Sequence, residues 1–287
     1  MNIKLKLKKQ KPKIPALVCG FAILGLLSCG NEHNEKTAHD DTGTALRNVP
    51  AVLQYSVVRE YPHDTKAFTE GLQYVDGILY EGTGEYGASD VRKTELATGK
   101  VITSHKMADK YFGEGITVLN GKLYQLTYRE RTGFIYDAGT LQPQGTFSYN
   151  AAEGWGMTTD GRHLIYDDGK NLLHYIEPGS FREVKTLHVT DENGAVDNIN
   201  ELEFIRGYIY ANQWETSYIL KIDTASGKVV ARADLSELSR MNGPQGMSTD
   251  GSRGPDVMNG IAYDSTGNRI FITGKYWPKL YEVKLDN

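Results

Sequence analysis

The sequence predicts an all-β fold, a five-bladed β-propeller whose ring is closed by an N-terminal strand. Three observations predict it. Residues 50–287 repeat one pattern five times: a short apolar strand, a glycine-containing turn and a second strand. The repeats start 44, 41, 45 and 59 residues apart, and four short strands at a period in the forties describe a propeller blade. Helical periodicity is scarce, with only Leu235–Met241 suggesting a short helix.

The first lap reads Glu70-Gly71-Leu72, Asp76-Gly77 and Leu79-Tyr80. The second reads Glu114-Gly115-Ile116, Asn120-Gly121 and Leu123-Tyr124, and the third Trp155-Gly156-Met157, Asp160-Gly161 and Leu164-Ile165. The fourth is Asn200-Glu201-Leu202, Arg206-Gly207 and Ile209-Tyr210, and the fifth Asn259-Gly260-Ile261, Thr266-Gly267 and Ile270-Phe271. The Asp-Gly and Asn-Gly pairs suit type I′ hairpin turns, which need positive φ at both central residues. A third strand follows in each lap, at Val91–Leu96, Phe134–Tyr136, Leu172–Ile176, Tyr218–Ile222 and Leu280–Val283. A fourth strand follows in four laps only. The chain ends at Asn287 before the fifth lap has one, and Leu53–Glu60, with its alternating Leu53, Tyr55 and Val57, can supply it and remove the open edge. A β-sandwich or open meander is the rival architecture. The Met241–Asp256 stretch, rich in Gly, Pro and Ser, reads as a loop.

Ahead of the repeats, six lysines between Lys4 and Lys13 precede an apolar run from Ile14 to Leu27. That run is short for a membrane span and reads as a signal peptide, residues 1–28. It ends in Leu26-Leu27-Ser28-Cys29, which resembles a bacterial lipobox, so Cys29 is the expected lipidation site. The chain has two cysteines, Cys19 and Cys29. Removal of the leader leaves one, and no internal disulfide. Residues 29–49 are polar and read as a flexible tether. Cleavage removes six of the 32 basic residues and none of the 36 acidic ones, leaving a net charge near −10 and arguing against nucleic-acid binding. The expected location is the bacterial cell envelope, on the periplasmic or an outer-membrane face, with the acyl chains as the only membrane attachment.

In a blade, the start of strand one and the end of strand two meet at one face. Strand-one starts carry Phe68, Glu70, Phe112, Glu114, Trp155 and Asn200, and strand-two ends carry Tyr128, Trp214 and Lys275. These residues would converge on one mouth of the central channel, a few polar groups among aromatic walls. The pattern alone predicts a pocket and leaves its chemistry open.

Several strings resemble the plant and bacterial glutaminyl-peptide cyclotransferase family. They include Ala67-Phe68-Thr69-Glu70-Gly71-Leu72, Tyr111-Phe112-Gly113-Glu114-Gly115-Ile116, Glu153-Gly154-Trp155-Gly156, Asn200-Glu201-Leu202-Glu203, Tyr210-Ala211-Asn212-Gln213-Trp214 and Thr273-Gly274-Lys275-Tyr276-Trp277-Pro278. The resemblance runs in order through nearly all of residues 55–285. It implies a five-bladed propeller that converts N-terminal glutamine of peptides or proteins to pyroglutamate with release of ammonia. It implies Glu114 as acid/base, Asn200 and Lys275 as polar partners, and Phe68, Glu70, Phe112, Tyr128, Trp155 and Trp214 as substrate-binding residues. Two positions depart: Glu70 stands where many members have Gln, and Tyr128 where many have Trp. They bear on substrate preference more than on activity.

No cofactor is implied. The animal enzymes of this activity are zinc proteins of another fold, and no His-Glu-x-x-His or comparable zinc spacing occurs here. The expectation is of no catalytic metal, with room left for a structural cation in the channel, and of a monomer. Two other readings stay open at this level: a non-catalytic envelope propeller that binds a peptide or protein partner, and a metal-dependent propeller hydrolase.

Overall fold

The structure, a computed structural model, describes residues 49–242 and 257–286. The signal peptide, Cys29, the tether and most of the 241–256 loop lie outside the described residues. Among the described residues, twenty-two strands and one short helix make an all-β, propeller-like fold. After an N-terminal strand come three four-stranded antiparallel meanders. They are β2 (Thr69–Val75) to β5 (Lys100–Lys106) through β3 (Ile78–Thr83) and β4 (Asp90–Glu95). Next come β6 (Gly113–Leu119), β7 (Lys122–Thr127), β8 (Thr132–Asp137) and β9 (Pro143–Ser148), then β10 (Met157–Thr159), β11 (Leu164–Asp167), β12 (Leu172–Ile176) and β13 (Glu183–His188). A small hairpin that the repeat did not signal, β14 (Thr190–Asp191) with β15 (Gly194–Ala195), follows.

The last two laps share one eight-stranded sheet. The fourth lap contributes β16 (Ile199–Ile205), β17 (Tyr208–Gln213), β18 (Tyr218–Asp223) and β19 (Val229–Asp234), and the fifth β20 (Met258–Asp264), β21 (Arg269–Gly274) and β22 (Lys279–Asp286). The helix α1 (Ser236–Met241) lies between them in the chain. The N-terminal strand β1 (Ala51–Pro62) pairs antiparallel with β22 along most of its length, so it supplies the strand that the fifth lap lacks. It also runs parallel to β19 over Ala51–Leu53, which joins the two laps into one sheet. A bulge between Val57 and Arg59 interrupts the alternation expected along β1. Before the bulge, Leu53 and Tyr55 pack with Tyr281 and Val283 on one core. After it, the phase flips, and Tyr61 packs with Leu72, Phe271 and Leu280 on another. Val57 itself is left exposed.

The turns follow the predicted chemistry in part. Asp76-Gly77 and Asn120-Gly121 have positive φ at both residues, as a type I′ turn requires, and so does Arg206-Gly207. Asp160-Gly161 does not: only Gly161 is left-handed. There the Asp160 carboxylate instead accepts the backbone N–H groups of Arg162 and His163, at 2.8 and 2.6 Å, and holds a longer loop.

The five first strands β2, β6, β10, β16 and β20 neighbour one another in cyclic order around a channel. Each is the inner edge of its sheet, so its outward N–H groups need partners. Side chains of adjacent inner strands supply several. Gln73 Oε1 accepts from Val118 N at 2.5 Å, Thr158 Oγ1 from Phe204 N at 3.0 Å, and Glu203 Oε1 from Tyr263 N at 3.0 Å. Glycine at the second position of a lap lets these strands approach closely. A Cβ on Gly115 would lie 2.4 Å from Met157 N, and one on Gly156 would lie 2.0 Å from Asn200 O. The fourth lap places Glu201 where the others have glycine. Its carboxylate spans the channel interior, accepting from Leu72 N at 3.0 Å and Ile261 N at 2.7 Å.

Candidate active site

At the channel mouth, all nine residues named from the sequence line one cavity of about 170 Å³, together with Val257. Phe68, Glu70, Phe112, Glu114, Trp155 and Asn200 reach it from the strand-one starts, and Tyr128, Trp214 and Lys275 from the strand-two ends. A local device aims them. Four of the five inner strands carry a register shift at the opening of the lap, between Thr69 and Gly71, Gly113 and Ile116, Ile199 and Leu202, and Met258 and Ile261. A bulge turns the side chain away from the regular alternation, and Glu70, Glu114, Asn200 and Asn259 all sit inside one.

The walls are aromatic. Phe68 and Phe112 meet edge to face at 6.0 Å, Phe112 and Tyr128 lie 5.8 Å apart, and Trp155 meets Trp214 edge-on at 5.5 Å. The polar groups are few and buried. Lys275 Nζ donates to Glu70 Oε1 at 2.7 Å and stands 4.3 Å from the centre of the Phe68 ring. Asn259 Nδ2 donates to the other Glu70 oxygen at 3.0 Å. Asn200 Oδ1 is buried without a hydrogen-bond partner among the described residues, a costly state that a donor on a bound molecule would relieve. Burial holds the Glu114 carboxyl well above the usual carboxylate range, and the Glu70 charge adds to this while Lys275 opposes it. Among the described residues no three His, Cys, Asp or Glu side chains converge as a group that could hold a metal.

Residues 25–285 match the family model described as glutamine cyclotransferase. The chain belongs to the glutamine cyclotransferase family. A glutaminyl-peptide cyclotransferase of Arabidopsis thaliana is 42% identical over 246 residues, covering 85% of this chain and 75% of the relative. The crystal structure of Myxococcus xanthus glutaminyl cyclase superposes with a TM-score of 0.74 at 36% identity, covering 83% of this chain and 98% of that one.

Around the nine cavity residues, this cyclotransferase-family chain carries supports that sequence reasoning missed. Glu153 accepts from Trp155 Nε1 at 3.1 Å and from Arg129 Nε at 3.0 Å, so it orients the indole. Asp167, fully buried, accepts from Gly156 N and Gly169 N, each at 3.0 Å, and pins the backbone on both sides of the Trp155 ring. Gly169 is left-handed, and a Cβ there would lie 2.6 Å from that indole. Gly84 is its counterpart beside the Phe112 ring, from which a Cβ there would lie 2.5 Å, and both glycines were findable. Each stands five residues after the first residue of its Leu79-Tyr80 or Leu164-Ile165 pair, the offset at which other laps carry Tyr128, Trp214 and Lys275. Two laps thus leave space at the position where three place a side chain. Asn259 was legible, because it opens the fifth lap as Glu70, Glu114 and Asn200 open theirs. Asp167 gave no such signal, because an isolated polar residue in a strand looks the same whether it binds backbone or solvent.

Proposed function

We propose that this chain is a glutaminyl-peptide cyclotransferase that closes the N-terminal glutamine of a peptide or protein into pyroglutamate and releases ammonia. The observation that carries the reading is the convergence of Glu114, Asn200, Lys275 and the aromatic residues on one small cavity, in a chain whose family is that of cyclotransferases. The cavity volume, below the roughly 300 Å³ of sites for larger ligands, suits a single side chain turned back on its own amine. We read the fold that presents it as a five-bladed propeller. The cyclic order of five inner strands supports this, with the eight-stranded sheet counted as two blades joined by β1.

The reaction joins the α-nitrogen to the side-chain amide carbon and expels the amide nitrogen. The aromatic walls hold the flexible side chain folded, so that nucleophile and carbonyl meet in reactive geometry. Glu114 is the proton carrier: one proton leaves the attacking amine and one joins the departing nitrogen, and general acid–base catalysis of this kind contributes about 10² to 10⁴ in rate. Lys275 stabilises charge developing on the carbonyl oxygen, where one such donor is worth about 3–4 kcal/mol. The unpartnered Asn200 oxygen is placed to accept a substrate N–H.

The same proposal takes in the N-terminus. Leu26-Leu27-Ser28-Cys29 would be cleaved and acylated, leaving a monomer tethered to the cell envelope with its cavity in the periplasm or at the outer-membrane face. The decisive experiment is incubation of purified protein with a Gln-initiated peptide, following ammonia release and the matching loss of peptide mass. Absence of both refutes the reading.

A further inference from the structure

The cavity contains two carboxylates and one cation, and its hydrogen bonds treat the carboxylates differently. Glu70 is satisfied at both oxygens, by Lys275 Nζ and by Asn259 Nδ2. Glu114, equally buried on the neighbouring inner strand, accepts no hydrogen bond among the described residues. If both were ionised, one negative charge would stand without a partner cation between aromatic walls, buried from bulk solvent. One proton therefore stays in the cavity. Donors aimed at a carboxylate favour its charged form, so the proton belongs on the carboxyl without them.

We propose that Glu70 is a positioning residue for the reaction: by holding Lys275 in its own ion pair it leaves Glu114 protonated in the substrate-free enzyme, so that Glu114 begins the cycle as an acid. This rests on the function proposed above. The proton balance closes. Glu114 gives its proton to the departing amide nitrogen, the C–N bond to that nitrogen breaks as the bond from the α-nitrogen forms, ammonia leaves, and the proton lost by the ring nitrogen restores Glu114.

Burial raises Glu70, Lys275 lowers it, and Glu85 adds a smaller upward push. Burial likewise raises Glu114, with Glu70, Asp167 and Glu153 adding to it. Tyr128 and Tyr149 near Glu114 are themselves pushed upward by burial and bring no charge at neutral pH. Lys275 is the cation that opposes these effects, and its hydrogen bond goes to Glu70.

The test is infrared titration of the full, substrate-free protein, isolating the protonated-carboxyl band that disappears in Glu114→Gln. The band should be present at pH 7. In Glu70→Gln, and in the smaller Glu70→Ala should the first fold poorly, its titration midpoint should fall by at least about one pH unit, a tenfold change in ionisation constant. A parent protein without that band at pH 7, or a midpoint unmoved by removing Glu70, overturns the proposal. The measurement needs no turnover, so a protein that shows the band but cyclises nothing would refute the proposed function and leave this ionisation standing.

Discussion

Glu201 of β16 accepts a hydrogen bond from the backbone N–H of Leu72 in β2, 129 residues earlier in the chain, at 3.0 Å. The other oxygen of the same carboxylate serves Ile261 N in β20. One side chain thus ties three inner strands together from inside the channel. Burial pushes its carboxyl well above the usual range, with the neighbouring Glu203 adding to the effect. Glu201→Gln keeps the shape and one acceptor but turns an NH₂ toward a backbone N–H. We expect a loss of about 1–3 kcal/mol. In a domain of this size that is a fall in Tm of several degrees, roughly 2–4 °C for each kcal/mol. Unchanged calorimetric Tm would show that the channel tie is dispensable.

Glu114→Gln preserves size and polarity while removing the proton carrier. Turnover of a Gln-initiated peptide should fall by at least about 10², with the fold intact by circular dichroism. Ammonia release at the parental rate would move the acid/base role to another residue.

The buried pair His63–Glu81 sets a pH window for stability. His63 Nε2 meets Glu81 Oε1 at 2.9 Å, and His63 Nδ1 donates to the Trp277 carbonyl at 2.7 Å. Burial works against charge on both groups, but their mutual attraction and hydrogen bonds prevail, raising His63 and lowering Glu81. A lowered carboxylate stabilises above its unfolded value of roughly 4.3, and the gain is lost as pH falls through the folded value. A raised histidine stabilises below its unfolded value of roughly 6.5, and the gain is lost as pH rises through the folded one. The contribution is therefore complete between about pH 4.3 and 6.5. Tm should decline from there toward pH 9, and His63→Gln should flatten that decline. Parallel curves for parent and variant would exclude the pair as the cause.

Closure by β1 separates two truncations. Removing residues 30–48 takes away only chain that precedes β1, and Tm should not change. Extending the deletion to residue 61 removes the partner of β22 and should abolish the cooperative melt. Equal melting of the two would mean that β1 contributes no closure.

The proposed lipid anchor hangs on Cys29. In a bacterial host with lipoprotein processing, Cys29→Ala should leave the precursor uncut or release the protein from membranes. A variant that is processed and fractionates with membranes like the parent would remove the lipid anchor from the proposal.

What the sequence determined by itself is what repeats. A strand needs only its own alternation and a turn only its own glycine, so the laps, the Asp76-Gly77 and Asn120-Gly121 turns and the strand-end positions of Glu114, Trp214 and Lys275 were legible one lap at a time. The role of β1 was legible too, because a missing fourth strand and a spare first one imply each other. The tertiary structure alone decided what depends on two laps at once. The register shifts that aim Glu70 and Glu114 into the cavity arise where two strands disagree by a residue, and neither strand records that disagreement. The same holds for the bulge that sends Tyr61 to a different core from Leu53. Most of all, nothing in the spacing of Glu70, Glu114 and Lys275 says which carboxylate owns the lysine. A 2.7 Å contact across 205 residues settles that, and with it the electrostatics of the site.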